Sequence, residues 1–257
     1  LTDVIGLARR GVKEVSVLGQ NVNSYKSECG ADFADLLKTL ATETPIERIR
    51  FTTSHPKDFN EKLAKVMGEH QAKICEYIHL PFQSGNSRIL ERMNRGYTRE
   101  EYLDKIKMIK RFVPNVVLST DIIVGFPGET EEDFLDTVSL VKEVGFETIF
   151  AFKYSSRPNT KAAKFEDQVD EDVKSERLNR LFAIHNEMAF DLAKRYEGQV
   201  LQVLVEEAKE NQGLSGRSTQ NKLVHFQGDA SLVGRTVPVK INRAFPAVLR
   251  GELVDLT

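Results

Sequence analysis

The chain has 257 residues and a net charge of −2, with 29% charged and 40% hydrophobic residues, which is ordinary for a globular protein. No apolar run is long enough to span a bilayer, and the first residues lack the features of a signal peptide. The length allows one substantial domain and a small one. The chain begins in the middle of a predicted helix, so we expect it to be cut from a longer protein.

Strands and helices alternate over the first 154 residues. Each predicted strand ends in a polar, Gly- or Pro-containing turn; the strands are 14–18, 48–52, 77–80, 116–124 and 148–154. The predicted helices between and after them are 32–40, 61–67, 87–93, 99–112 and 131–144. This order predicts βα units in a parallel barrel or open parallel sheet, with at least one further strand upstream of the chain.

The fourth strand has the strongest functional signal. Its β-branched run 116–124 is typical of a buried parallel strand, and it breaks into Gly125-Phe126-Pro127-Gly128 before a helix that Thr130 caps. Ligands of parallel sheets bind at the carboxyl ends of the strands. The sequence therefore predicts a ligand-facing corner here, although the glycines of the turn could also serve its geometry alone.

The pattern changes after residue 169. A long amphipathic helix is predicted over 170–196, with His185 on its apolar stripe as a core residue, and Gly198 ends it. Five short strands follow and predict a small OB-like barrel; they are 200–205, 214–217, 222–226, 236–241 and 249–253. We expect three parts, with a parallel barrel at 1–168, a bracing helix at 169–197 and the small barrel at 198–257.

The small barrel is predicted to be basic. Between residues 213 and 250 there are six Lys or Arg and one Asp, a net of +5 in a chain whose total is −2. Such a segment is suited to nucleic-acid phosphates, although scattered basic residues on a solvated surface give the same count. The candidate RNA-binding residues of the barrel are Arg217, Lys222, Arg235, Lys240 and Arg243.

The chain has two cysteines, Cys29 and Cys75, which lie 46 positions apart. They exclude a disulfide framework and any Cys-x-x-Cys metal motif within this chain. We expect a reducing cytoplasm, two thiols that are structural or incidental, and no metal ligand in this chain.

Six segments resemble one known family across essentially the whole chain. Five lie in the first 162 residues: LGQNVNSY (18–25), RIRFTTSHP (48–56), HLPFQSGNSRILERMNRGYTREEY (79–102), STDIIVGFPGETEEDF (119–134) and FKYSSRPNTKA (152–162). Together they look like tRNA methylthiotransferases, which are radical S-adenosylmethionine (SAM) enzymes. The sixth, GRSTQNKLVHF (216–226), is similar to their TRAM domain, a small RNA-binding barrel.

The resemblance implies the fold, cofactors and partner. It implies a partial radical SAM barrel of strands 2 to 6 followed by a TRAM barrel, SAM as radical source and methyl donor, and two 4Fe-4S clusters. The family's cluster cysteines would precede this chain, so the chain alone should be inactive. The substrate would be isopentenyladenosine beside the anticodon of a tRNA, bound by a monomer through the anticodon stem-loop.

The resemblance also places residues at the cofactor. The implied cofactor-binding residues are Gly19, Gln20, Asn21, Ser54, Gln83, Ser84, Asp121, Gly125, Phe126 and Glu129. Gln and Asn both donate and accept hydrogen bonds, and Asp accepts from ribose hydroxyls. Arg157, after the last strand, is a candidate for an RNA phosphate or the target nucleotide, and Arg95 and Arg99 are weaker candidates.

Two alternatives remain open from the sequence. A radical SAM barrel that lost its cluster would leave a non-catalytic RNA-binding protein. A sister-branch methylthiotransferase would act on threonylcarbamoyl-adenosine or on a ribosomal protein.

Overall fold

The first part of the molecule is a parallel sheet with helices on one face. The structure, a computed structural model, describes residues 1–52, 55–209 and 213–254. The strands are β1 (Glu14–Val17), β2 (Arg48–Phe51), β3 (Tyr77–His79), β4 (Val117–Val124) and β5 (Thr148–Lys153). β1 pairs with β2, β3 with β4, and β4 with β5, all in parallel. Ile49 of β2 also forms an isolated parallel bridge with Ile74, which precedes β3. These strands confirm the five predicted ones.

Helices cover one face of this sheet. They are α1 (Thr2–Arg9), α2 (Phe33–Glu43), α3 (Glu61–Glu69), α4 (Ser87–Arg92), α5 (Arg99–Phe112) and α6 (Glu131–Val144). Capping boxes at Asp32, Thr98 and Thr130 fix the starts of α2, α5 and α6 because each satisfies backbone N–H groups of the first turn. The apolar sides of the helices bury Ile78, Ile122 and their neighbours. We call the other side of the sheet the open face.

The predicted long helix is α7 (Glu171–Lys194), which packs on β4, β5 and α6. Buried His185 lies 3.1 Å from the Phe146 carbonyl oxygen through Nε2, as expected of a core histidine. Among the described residues no helix has both the length and the apolar character needed to cross a membrane.

The carboxyl-terminal part is the predicted five-stranded barrel, and it is closed. Its strands are β6 (Val200–Lys209), β7 (Gly213–Ser218), β8 (Leu223–Phe226), β9 (Thr236–Ala244) and β10 (Val248–Leu253), in the spatial order β10-β8-β7-β6-β9. Alternate residues of each strand fill a second apolar core, among them Val203, Val239 and Leu249. Gly216 is required because a Cβ there would collide with the Leu204 carbonyl oxygen on β6.

The small barrel docks on the amino-terminal ends of the parallel strands. Arg48, the first residue of β2, donates to the carbonyls of Arg217 at 2.7 Å and Gln202 at 2.6 Å. Arg50 Nη2 donates to the Ser218 carbonyl at 2.6 Å, and Arg50 Nε to Glu14 at 2.9 Å. The carboxyl-terminal ends of β3, β4 and β5, where parallel sheets bind ligands, therefore lie away from the barrel.

Candidate functional site

A cavity of about 610 Å³ lies at the carboxyl ends of β4 and β5. It brings together four of the residues predicted from the sequence, Gln83, Asp121, Phe126 and Arg157. The rest of its wall combines polar and apolar side chains, namely Arg95, Ile123, Phe152, Lys153, Tyr154, Ser155, Thr160 and Ala162. The cavity is therefore able to hold a ligand that has both charged and apolar groups.

Gln83 and Asp121 are fixed by the backbone. Gln83 N–H donates to the Asp121 carbonyl at 3.0 Å, and Ile123 N–H donates to the Gln83 carbonyl at 2.9 Å. Gln83 adopts a left-handed conformation, φ 68°, that non-glycine residues rarely take. The strained backbone of Gln83 is thus paired with Asp121 of β4, and an amide and a carboxylate line the same cavity.

A chain of polar side chains on the open face lies beside Asp121. Tyr77 Oη lies 2.7 Å from Ser119 Oγ, which in turn lies 2.9 Å from His79 Nδ1. His79 Nε2 lies 3.4 Å from Asp121 Oδ1. The contacts are consistent with Tyr77 donating to Ser119, Ser119 donating to His79, and an Nε2–H of His79 facing the Asp121 carboxylate.

The predicted glycine turn after β4 is fixed by contacts with Glu129 and with side chains of α7. Gly125 has φ 70°, and a Cβ there would collide with the Lys174 side chain. Its N–H donates to Glu129 Oε1 at 2.8 Å, and the same oxygen accepts from Arg177 Nη1 at 2.8 Å. Glu129 is 5% exposed, so it positions the turn rather than facing the cavity. Burial raises the pKa of the Glu129 carboxyl to about 6, although Gly125 N–H and Arg177 lower it.

The Glu129 carboxyl makes the free energy of unfolding depend on pH. The folded chain binds the Glu129 proton more tightly than the unfolded chain, where the pKa is near 4.5, so its contribution falls as pH rises through about 6. We expect the free energy of unfolding of the wild type, relative to Glu129→Gln, to fall by about 2 kcal/mol between pH 4 and 7.5. Urea unfolding at several pH values measures this difference. The exposed Glu132→Gln is the control, and a difference that is constant or rises with pH would contradict the assignment.

Arg95 lines the cavity, although the sequence analysis gave it only as a weaker candidate. It lies in the turn between α4 and α5, beside Asn94 with φ 57° and Gly96 with φ 67°. Its Nε is buried without a hydrogen-bond partner, and no carboxylate of the described residues pairs with it. Arg95 is half-buried, and a guanidinium whose Nε is shielded from water without a hydrogen bond is stabilised when an anion binds it. The sequence around Arg95 shows only the pattern that ends a helix, and this pattern does not indicate anion binding.

Several predicted cofactor residues lie elsewhere. Gly19, Gln20 and Asn21 follow β1 and do not line the cavity, and Asn21 Nδ2 donates to Asp58 at 2.5 Å. Ser84 is 1% exposed, and its hydroxyl accepts from Asn86 N–H at 3.4 Å, which gives it a local structural role. Ser54 lies outside the described residues.

One predicted RNA-binding residue, Lys222, needs correction. It is 7% exposed and its ammonium lies 2.5 Å from the buried Glu147 carboxylate, so it cannot face a phosphate in this arrangement. Arg217 is half-exposed and lies 3.8 Å from Glu206. The side chains of Arg235, Lys240 and Arg243 are exposed, as predicted.

A row of basic side chains crosses the outer face of the barrel. Arg243 on β9 is opposite Arg250 on β10, and Arg250 is opposite His225 on β8. Arg243 also lies over the Phe245 ring, 5.9 Å from its centroid. Neither arginine has an acidic partner within 4 Å among the described residues. We call Arg243, Arg250 and His225 the basic row. The sequence analysis counted Arg250 among the basic residues but did not select it as a candidate. The row was found only from the register between the strands.

The cysteines do not fit an iron–sulfur cluster. A 4Fe-4S cluster that leaves one iron open for SAM needs three thiolates. Cys75 is buried, which raises the pKa of its thiol to about 11, whereas Cys29 is exposed. Within the described ranges no group of three or more His, Cys, Asp or Glu side chains is placed to hold a metal ion.

The parallel strands, the cavity at their carboxyl ends and the appended barrel define the class. The sequence model of the radical SAM superfamily matches residues 2–141, and that of the TRAM domain matches residues 194–254. The chain belongs to the radical SAM superfamily. Its parallel part is a partial radical SAM barrel, and its closed five-stranded barrel is a TRAM domain.

Among curated proteins the chain is similar to tRNA-2-methylthio-N(6)-dimethylallyladenosine synthases. It is 67% identical to that of Bdellovibrio bacteriovorus over 99% of this chain and 56% of the relative, and 49% identical to that of Clostridium perfringens over 99% and 58%. The chain thus spans a little over half the length of these relatives. Among solved structures, the radical SAM methyltransferase TsrM of Kitasatospora setae has a TM-score of 0.50 at 17% identity, covering 63% of this chain and 30% of TsrM, which supports the fold alone.

Proposed function

We propose that this chain is the carboxyl-terminal part of a tRNA methylthiotransferase. The enzyme would act in the cytoplasm and add a methylthio group to carbon 2 of N(6)-dimethylallyladenosine beside the anticodon of a tRNA. The names and the 67% identity of the relatives favour this substrate over those of the sister branches. Because this chain has two cysteines, both 4Fe-4S clusters would be held by residues outside it, and the chain alone is expected to be inactive.

The cavity is the observation that carries the proposal. It fits SAM because Arg95, whose Nε has no hydrogen-bond partner among the described residues, offers a guanidinium for a carboxylate, and Gln83 and Asp121 offer acceptors for hydroxyl groups. Phe126 and Ile123 supply an apolar edge beside them. When bound, SAM supplies the radical and the methyl group. The residues of this chain hold and orient it.

The TRAM barrel would hold the tRNA through the basic row, while Arg157 lies in the cavity wall, within reach of a target nucleotide. The chain would divide into a partial radical SAM barrel at 1–168, a bracing helix at 169–197 and a TRAM domain at 198–257, and the enzyme would act as a monomer.

The test uses the full-length protein that contains this chain, with its clusters reconstituted. We expect it to add a methylthio group to an anticodon stem-loop RNA that has N(6)-dimethylallyladenosine, as detected by mass spectrometry of the nucleosides. Asp121→Ala should weaken SAM binding about tenfold or more in equilibrium dialysis, because a charged acceptor is lost. The control Asp104→Ala, on the exposed side of α5, should leave it unchanged. RNA binding without any methylthio product would support the cluster-free RNA-binding protein instead.

A further inference from the structure

Two phenylalanines on β5 are exposed side by side on the open face. Phe150 is 45% exposed and Phe152 is 58% exposed, whereas Ile149 and Ala151 between and beside them are buried under the helices. Single exposed apolar residues are common, but two aromatic rings on the same side of one strand make a continuous apolar surface.

Phe152 lines the cavity, and Phe150 continues the same apolar surface along β5. In the β4–β5 register Phe152 is opposite Ile123 and Phe150 is opposite Asp121, so the four side chains point to the same side of the sheet. Phe152 and Ile123 both line the cavity, and the Phe150 ring lies 5.8 Å from the His79 ring. The cavity therefore has a polar wall with Gln83, Arg95 and Asp121 and an apolar wall with Ile123 and Phe152. Phe150, exposed on the same side of β5, continues the apolar wall beyond the cavity.

We propose that Phe150 and Phe152 form a subsite for the hydrocarbon substituent on the substrate's adenine. The inference rests on the proposed function and names the residues that choose its substrate. Covering two exposed rings with a branched five-carbon group removes apolar surface of both partners from water. A bare adenine would leave the rings exposed, and a carboxylate-bearing substituent would meet the Asp121 charge opposite Phe150.

The position of Phe150 and Phe152 outside the apolar core supports a binding role over a purely structural one. Phe150 and Phe152 do not belong to the apolar core that the helices bury, so truncating them leaves that core intact. The occupant must enter from the open face, the same side from which the polar wall is reached. A single ligand complex that spans both walls would therefore contact Asp121 and Phe152 together.

The experiment measures a ratio of affinities in the full-length, reconstituted protein. Two anticodon stem-loop RNAs are compared that differ only in having or lacking the N(6)-dimethylallyl group. We expect the wild type to bind the substituted RNA more tightly, and Phe152→Ala and Phe150→Ala each to reduce this preference about tenfold or more, since a few apolar contacts discriminate by that amount. Phe152→Leu should keep most of the preference. Phe190→Ala, at a 52% exposed phenylalanine of α7, is the matched control and should keep all of it.

The outcomes separate this proposal from the proposed function. Cleavage of SAM in the absence of RNA should be unchanged in Phe150→Ala and Phe190→Ala, because neither side chain lines the cavity that is proposed to hold SAM. A wild type without preference for the substituted RNA overturns the subsite. So does an equal loss of affinity for both RNAs in Phe150→Ala and Phe152→Ala, which would show that the rings contact a part of the RNA that both share rather than the dimethylallyl group. Absence of SAM cleavage and of methylthio product in the wild type would refute the proposed function, whatever the binding ratio.

Discussion

Replacing Glu147 with Gln is expected to lower the free energy of unfolding by about 3–5 kcal/mol, because it leaves the buried ammonium of Lys222 without its counter-charge. Glu147 precedes β5 and its side chain is 2% exposed. Lys222 of the barrel lies 2.5 Å from it, Tyr196 Oη donates to it at 2.8 Å, and Arg195 pairs with it as well. One carboxylate thus joins the parallel sheet, the end of α7 and the TRAM barrel.

Urea unfolding of wild type and variants measures this effect. The control Glu143→Gln removes a carboxylate whose side chain is 52% exposed and that pairs with Arg99 at 3.2 Å, so it should cost about 1 kcal/mol or less. The double variant Glu147→Gln, Lys222→Met removes both charges and should recover part of the loss. If Glu147→Gln were as stable as Glu143→Gln, the buried cluster would not hold the two parts together.

The fold could be predicted from local pattern to a large extent. The strand 116–124 and the helix 131–144 were located almost to the residue, because a β-branched run and a capping box are properties of neighbouring residues. The docking of the barrel could not be predicted. Arg48 meets carbonyls more than 150 positions away in the chain, and no sequence pattern marks such a contact.

Only part of the candidate site could be predicted, because some of its features depend on contacts between distant parts of the chain. Gln83, Asp121 and Phe126 were named because of the family resemblance, and they meet in the cavity because each lies in the last half of a parallel strand or just after one. Lys222 was misassigned because a count of charges does not distinguish an exposed lysine from one buried against Glu147. Arg95 and the basic row depend on an unpartnered buried atom and on cross-strand register, and both are properties of the three-dimensional structure.

The basic row is expected to contribute strongly to RNA affinity. In the full-length protein, Arg243→Ala together with Arg250→Ala should weaken binding of an anticodon stem-loop RNA by about tenfold or more at low salt. Each phosphate contact that is lost also removes released counterions, so the plot of log affinity against log salt should become less steep by about 1.5 to 2. Lys240 is a poorer candidate because Glu252 on β10 is opposite it and offsets its charge.

Fluorescence anisotropy over a salt series measures both quantities. Lys107→Ala with Arg111→Ala removes two exposed charges from α5, far from the barrel in the chain, and should leave affinity and slope close to the wild type. Lys222→Ala should lower stability, because it leaves Glu147 short of a partner, without changing the slope. A basic-row variant whose slope equals that of the wild type would place the RNA on another surface, since the loss of two phosphate contacts cannot leave the salt dependence unchanged.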